Sequence, residues 1–360
     1  MPSALRRPLP VLRQQHDIEY LDAVAHGVLN PPASTGMPFW SINPYVGCAF
    51  GCAYCYARFA HRYALERAEG VPDRAQPAWL AFERRILVKR GAPALVQRAL
   101  DRARRRRTAG PDDAAAAPVL RGAPLVIGTA TDPYQPAERH FRVTRGVLEV
   151  LAGHTGLDLV LITKSPLVTR DIDLLARLAV RSRLAVQLSL ITLDRDLARR
   201  LEPRAPTPEA RLRAMRRLRE AGIDVGVNCM PVLPGITDAP QALEALVAAV
   251  ADAGVTHLAA SALRLQPAAR TRYLPVVREH FPALAARYEA TYRDGAHAGA
   301  RYREGLSRFM AALCARHGLL TRRRGGAAPS ADEEDGEGPA ALPPPPLLEA
   351  ARGHQLVLPL

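Results

Sequence analysis

Lysine is nearly absent from this sequence. It occurs twice, at Lys89 and Lys164, beside 47 arginines in 360 residues. Such a bias is what a high-GC genome writes wherever a cation is wanted. A position that stays Lys against it points to a need for the compact ammonium rather than the broad guanidinium fork. Cysteine is scarce as well: Cys48, Cys52, Cys55, Cys229 and Cys314. An odd number, with three members inside eight residues, is a poor disulfide framework, and it fits a reducing compartment with a metal site better. No run of about 20 uncharged apolar residues occurs, so no membrane span is expected. The N-terminus has basic residues but no apolar run of about 7–15 residues behind them, so no secretory signal is expected and the protein reads as cytoplasmic.

What is present is a basic body. The formal net charge is +14, and an acidic run at Asp332, Glu333, Glu334, Asp335 and Glu337 sits in the tail, so the rest is more basic than the total. That balance is compatible with a nucleic-acid partner and equally with compositional drift.

Residues 1–38 read as a Pro-containing lead-in with little periodicity. From Phe39 to Tyr63 the chain packs in eight of its 19 aromatics. Helical spacing is expected over 57–69 and over 91–107, the latter ending in Arg104–Arg107, with a loop at 108–118. A regular alternation follows. Strands are expected near 40–46 and at 124–130, 158–163, 183–191, 224–230 and 257–263, and helices at 137–153, 170–180, 207–221 and 239–253. Short strands alternating with helices imply parallel βαβ units. About six repeats suit a partial (β/α)6 barrel over 39–265 in an α/β chain, with a doubly wound sheet as the alternative. Residues 266–320 read as a C-terminal helical extension. Residues 321–360 are rich in Pro, Gly, Ser and acid and read as a disordered tail.

The chemistry concentrates in Asn43-Pro-Tyr-Val-Gly-Cys48-Ala-Phe-Gly-Cys52-Ala-Tyr54-Cys55-Tyr56-Ala-Arg58. Cys-x3-Cys-x2-Cys on one loop brings three thiolates around a common point. A four-iron cubane is usually held by four cysteines, so three leave one iron open. The alternative is a structural zinc with His61 as a fourth ligand, at an unusual spacing.

This motif resembles the radical S-adenosylmethionine (SAM) signature. The longer string, with matching segments across roughly 40–265, resembles the spore-photoproduct-lyase-like branch of that superfamily, whose uncharacterised members are often called DNA-repair-photolyase-like. The resemblance implies a [4Fe–4S] cluster on Cys48, Cys52 and Cys55, SAM at the open iron, and cleavage of SAM to a 5′-deoxyadenosyl radical. It implies an electron donor such as flavodoxin or ferredoxin. It places Tyr54 along the adenine and Tyr56 in a hydrogen relay. Thr131 and Asp132, in GTATDPYQPAE, would help fix the SAM ammonium, or else cap the helix that follows. Lys164, in LVLITKSP, would meet the SAM carboxylate, and Ser189, in VQLSLIT, the ribose. Arg204, in LEPRAPTPEAR, belongs to a string found near the cofactor, although Glu202 and Arg204 also read as a surface ion pair. Lys89 receives no chemistry.

One departure matters. The spore lyase carries a hydrogen-donor cysteine just before the Asp of its second strand, and Gly128–Asp132 has none. Cys229 on the fifth strand could face the same cavity or could be a small buried hydrophobe. Reversal of thymine spore lesions therefore does not follow. DNA is the expected partner, with Arg104–Arg107 and Arg211, Arg213, Arg216, Arg217 and Arg219 as candidate phosphate contacts, or else a solvated basic face. Modification of a protein, an RNA or a small molecule, and a non-catalytic Fe–S protein, are the alternatives. The terminal Gln355-Leu-Val-Leu-Pro-Leu360 resembles the hexapeptide by which bacterial repair proteins dock on the DNA sliding clamp; an edge strand or a hydrophobic tuck is its other reading.

Overall fold

The computed structural model describes residues 9–25, 27–58, 78–106 and 117–321. Phe59, His61, Tyr63, Arg107, most of the expected helix over 57–69, most of the loop at 108–118 and nearly all of the tail, including Gln355–Leu360, lie outside them. The strands are β1 Val11–Gln15, β2 Ile18–Asp22, β3 Leu29–Asn30, β4 Trp40–Ile42, β5 Tyr45–Val46, β6 Arg85–Val88, β7 Pro124–Ile127, β8 Asp158–Thr163, β9 Arg183–Ser189, β10 Asp224–Val232 and β11 His257–Ala262.

Among the described residues, one sheet runs β3–β4–β7–β8–β9–β10–β11. From β4 to β11 every neighbouring pair is parallel, which gives the six strands of a partial barrel in chain order. The strands are Leu-, Val- and Ile-rich because both faces are buried; Leu125, Ile127, Leu161, Val186 and Val225 are each at most 1% exposed. β3 adds an antiparallel edge beside β4. The backbone of Leu320 exchanges hydrogen bonds with Leu258 and Thr256 and so covers the β11 edge.

The expected alternation is observed, with three instructive differences. The helix expected over 137–153 is two helices, Glu138–Phe141 and Val143–Leu151, broken at Arg142 with φ 48°. The cause is Glu138: its buried carboxylate accepts from Thr144 N (2.9 Å) and Arg145 N (3.1 Å), capping the second helix from within the first. Helix Arg195–Leu201, not anticipated, starts where the Asp194 carboxylate accepts from Asp196 N and Leu197 N. The lead-in holds the hairpin β1–β2, and β2 pairs with β6 and β6 with β5 in a second sheet of four strands. That sheet ties the start of the cysteine segment to residues 85–88. The C-terminal extension is three helices, Pro267–His280, Pro282–Thr291 and Ala300–Arg316. None of the helices among the described residues is long and apolar enough to cross a membrane.

Candidate active site

The cysteine loop leaves β5 at Gly47 and carries its own constraints. Gly47 and Gly51 sit at φ 84° and 67°, where side chains are strained. A Cβ on Gly47 would lie 2.7 Å from the Phe82 carbonyl, and one on Gly51 2.7 Å from Arg204 Nη2 and 3.0 Å from Glu83 Oε2. The loop backbone is hydrogen-bonded from several directions. Thr131 Oγ1 and Gln135 Nε2 donate to the Gly47 carbonyl at 2.6 and 3.0 Å, and Ala49 N donates to Gln135 Oε1 at 2.9 Å. Arg204 donates from Nε to the Ala49 carbonyl at 2.5 Å and from its backbone N to Phe50 at 3.2 Å. Arg58, fully buried, donates to the Cys52 carbonyl at 2.9 Å and to Glu83 at 2.6 Å. Cys48 N and Ala53 N donate to Phe82 and Leu201. A loop whose polar atoms are satisfied this way presents its thiols in one geometry.

The three thiols feel one another. Burial first, then Asp132, Cys52 and Cys55, pushes the Cys48 thiol well up. Burial and the Glu202 carboxylate push Cys52 up to about 12, against the pull of Lys164 and Arg211. Cys55 is raised by burial and lowered in part by Arg58. Such thiols stay protonated until a metal displaces their protons. Among the described residues, no three His, Cys, Asp or Glu side chains converge as a single metal ion requires. A four-iron cube gives each thiolate its own iron and holds the sulfurs apart, so three soft donors on one braced loop fit that group.

Over this loop stands a buried ionic group drawn from four segments. Glu202, 1% exposed, accepts from the Tyr54 hydroxyl and from Arg211. Arg211, also 1% exposed, donates in addition to the carbonyls of Ser189 (2.9 Å) and Pro206 (2.7 Å from Nη2). Lys164 Nζ lies 3.8 Å from Glu202 and 5.7 Å from the centre of the Tyr54 ring. Burial lowers the Lys164 ammonium, but Glu202 and the Cys52 and Cys55 thiols more than offset it, and the net shift is upward. Glu202 is held below the usual carboxylate range because Arg211 and Lys164 outweigh its burial. The surface ion pair that stood as the alternative reading of Glu202 and Arg204 does not form: Glu202 is interior on Tyr54 and Arg211, and Arg204 holds the Ala49 carbonyl. Sequence reasoning also offered Arg211 to phosphate, whereas Arg211 is committed inside the fold. Arg213, Arg216 and Arg217 on helix Pro208–Glu220 are exposed, as are Arg104 and Arg105.

The remaining expected residues divide clearly. Thr131 is spent on the Gly47 carbonyl. Asp132 accepts from Tyr134 N (2.9 Å), Thr163 Oγ1 (2.6 Å) and Lys164 N (2.8 Å), so it fixes the turn that carries Lys164. Ser189, Asn228 and Ala259 are in register, and so are Gln187, Gly226 and His257 two residues earlier. A Cβ on Gly226 would meet both Gln187 and His257, so this face is the inner one. Ser189 therefore faces inward at a strand's carboxyl end, where barrels place their chemistry. Cys229, one residue on, faces the helix layer. It is 0% exposed, and burial and the neighbouring Cys314 of helix Ala300–Arg316 push its thiol up to about 12. The structure does not bring Cys229 to the site. Tyr56 is 42% exposed, and its hydroxyl donates to the Thr129 carbonyl at the end of β7.

Residues 42–247 match the family model described as Radical SAM superfamily. The chain belongs to the radical SAM superfamily. Its members carry a [4Fe–4S] cluster and SAM, and the protein is accordingly a radical SAM enzyme. An uncharacterised protein of Mycobacterium tuberculosis is 32% identical over 304 residues, covering 84% of this chain and 82% of that relative. An uncharacterised protein of Methanocaldococcus jannaschii is 27% identical over 221 residues, covering 61% of this chain and 70% of the relative. Among solved structures, spore photoproduct lyase complexed with dinucleoside spore photoproduct superposes with a TM-score of 0.56 at 15% identity, over 84% of this chain and 81% of that one. That likeness establishes a shared fold.

Proposed function

We propose that this protein cleaves SAM reductively and takes hydrogen from a carbon of nucleic acid, in DNA repair. The observation that carries the cofactor half is the placement of Lys164: an ammonium held over Tyr54, beside the thiols of Cys52 and Cys55, on a turn set by Asp132. Cys48, Cys52 and Cys55 would hold a [4Fe–4S] cluster, which would supply an iron open to SAM and the electron for its cleavage. Lys164 would bind the SAM carboxylate as a charge-assisted contact, and Ser189 the ribose. Glu202 favours the charged form of Lys164, and Arg211 holds the Glu202 carboxylate in place. Tyr56, exposed next to the β7 turn, would hand hydrogen between SAM and substrate. A low-potential donor of the flavodoxin or ferredoxin type would supply the electron.

The nucleic-acid half is supported by the fold shared with spore photoproduct lyase, whose solved complex holds a dinucleoside lesion, and by the exposed arginines of helix Pro208–Glu220. The test is incubation of the anaerobically reconstituted enzyme with SAM and ultraviolet-damaged DNA deuterated in its nucleosides. Deuterium in the recovered 5′-deoxyadenosine or SAM supports the reading. Brisk SAM cleavage in which neither acquires label from the DNA would overturn it. The terminal Gln355–Leu360 belongs to the same proposal as a docking peptide. Titration of that peptide against purified sliding clamp should show binding that the Gln355→Ala, Leu358→Ala peptide lacks. Equal binding by both, or none by either, counts against it.

A further inference from the structure

Lys89 has no role in the site as described, yet it is the second lysine in a chain that otherwise writes arginine. It follows β6 directly, where its backbone N donates to the Pro44 carbonyl. Its Nζ donates to the Asn43 carbonyl at 2.9 Å, and among the described residues the ammonium has no ion-pair partner. Carboxylates of the flanking segments are committed: Asp22 to Arg90, and Glu138 to Arg170 and Tyr45. A carbonyl carries only a partial charge, so this partly buried cation is left without an anion among the described residues. The consequence is an ammonium that burial alone lowers to about 8.

The surroundings of Lys89 lead to the reacting end of the barrel. Asn43 ends β4, and its side chain holds the β7 turn, with Nδ2 donating to Thr129 Oγ1 at 3.1 Å and Oδ1 accepting from Ala130 N at 2.8 Å. The hydroxyl of Tyr56 donates to the carbonyl of the same Thr129. Lys89 and Tyr56 are thus both linked to this turn, at the carboxyl ends of two adjacent parallel strands, Lys89 through Asn43 and Tyr56 directly. Gly128, Thr129, Ala130 and Lys89 are all partly open to solvent, and Tyr56 is exposed.

We propose that Lys89 is a substrate-binding residue, holding a phosphodiester of the nucleic acid against the β4–β7 mouth beside Tyr56. The inference rests on the nucleic-acid reading and names a contact for it. An anion placed there would complete the hydrogen bonding of an ammonium to which the described residues offer one acceptor, the Asn43 carbonyl, and would set the adjoining nucleoside next to Tyr56. The compact Lys head donates to the Asn43 carbonyl as a point charge, and a planar fork would present its donors in a different geometry.

The test uses the reconstituted full chain and three probes: the dinucleoside phosphate TpT, its uncharged methylphosphonate analogue, and inorganic phosphate. Wild-type protein should bind TpT about 10-fold or more tightly than the methylphosphonate. Lys89→Met should bind the two equally, and Lys89→Arg should recover only part of the difference. Iron content and SAM binding of each variant report on folding. The comparison of charged and uncharged ligand on wild-type protein stands even where a variant fails to fold. Equal wild-type affinity for both dinucleosides would overturn the proposal, as would a preference for TpT that survives in Lys89→Met. Competition by inorganic phosphate as strong as by TpT would make the site one for free phosphate and also overturn it. Failure of the wider reading is separate: it would appear as SAM cleavage with no hydrogen taken from nucleic acid, whatever the outcome with TpT.

Discussion

Replacing Glu202 by Gln preserves shape and removes the one anion shared by Arg211, Lys164 and Tyr54. Breaking a buried pair by removing one partner costs about 3–5 kcal/mol because the other charge is stranded. Arg211 keeps the carbonyls of Ser189 and Pro206, which places the expected cost at the lower end, about 3 kcal/mol. In a chain of this size that corresponds to a midpoint of thermal unfolding lowered by roughly 5 °C. The sign with pH is fixed by the direction of the shift. Glu202 is held below the ordinary carboxylate value of 4.5, so its contribution is present above that pH and is lost as pH falls through its lower folded value. Glu202→Gln should therefore be less stable than wild type at neutral pH, with the gap narrowing in acid. The double variant Glu202→Gln, Arg211→Met should recover part of the loss, since it removes the stranded cation as well. Anaerobic thermal scans of reconstituted proteins, followed by tryptophan fluorescence, would measure all three. A Glu202→Gln midpoint within about 1 °C of wild type would refute the claim that this carboxylate neutralises the interior.

Lys164→Ala should retain iron but lose about 1.5–3 kcal/mol of SAM binding, and Lys164→Arg should rescue it poorly, as equilibrium binding to the reconstituted proteins would show. Gly51→Ala should reduce iron retention in anaerobic iron and sulfide assays, because the added methyl meets Arg204 and Glu83 at a φ of 67°. Cys229→Ala should keep full cluster content and SAM cleavage while lowering the thermal midpoint slightly; lost turnover with an intact cluster would return Cys229 to the site.

The cysteine loop was legible because its information is local: three thiols, two glycines and an aromatic at fixed spacing in one segment. The barrel was legible for a similar reason, since strands buried on both faces are short apolar runs such as DLVLIT. The Glu202, Arg211, Lys164 and Tyr54 group was not, because its members come from four segments and only the fold shows that a Glu beside Pro203 is interior. A basic helix also conceals which of its arginines is inside; Arg211 falls on the apolar face with Ala214, Met215 and Leu218. Thr131, Asp132 and Arg204 were expected near the cofactor, and the fold uses their polar atoms on groups of the cysteine loop and the Lys164 turn. Hydrogen bonds to backbone leave no composition signal, so Gln135, Asn43 and Glu138 passed unnoticed in the sequence.

The central claim is that Cys48, Cys52 and Cys55 hold the cluster at which SAM is cleaved. It is tested most directly by quantifying 5′-deoxyadenosine and methionine from SAM under dithionite, for anaerobically reconstituted wild type and for Cys52→Ala. Wild type should release both products in equal amounts and show a [4Fe–4S] spectrum, and Cys52→Ala should do neither. Products from Cys52→Ala at the wild-type rate, or a fully loaded wild type that releases none, would contradict the account.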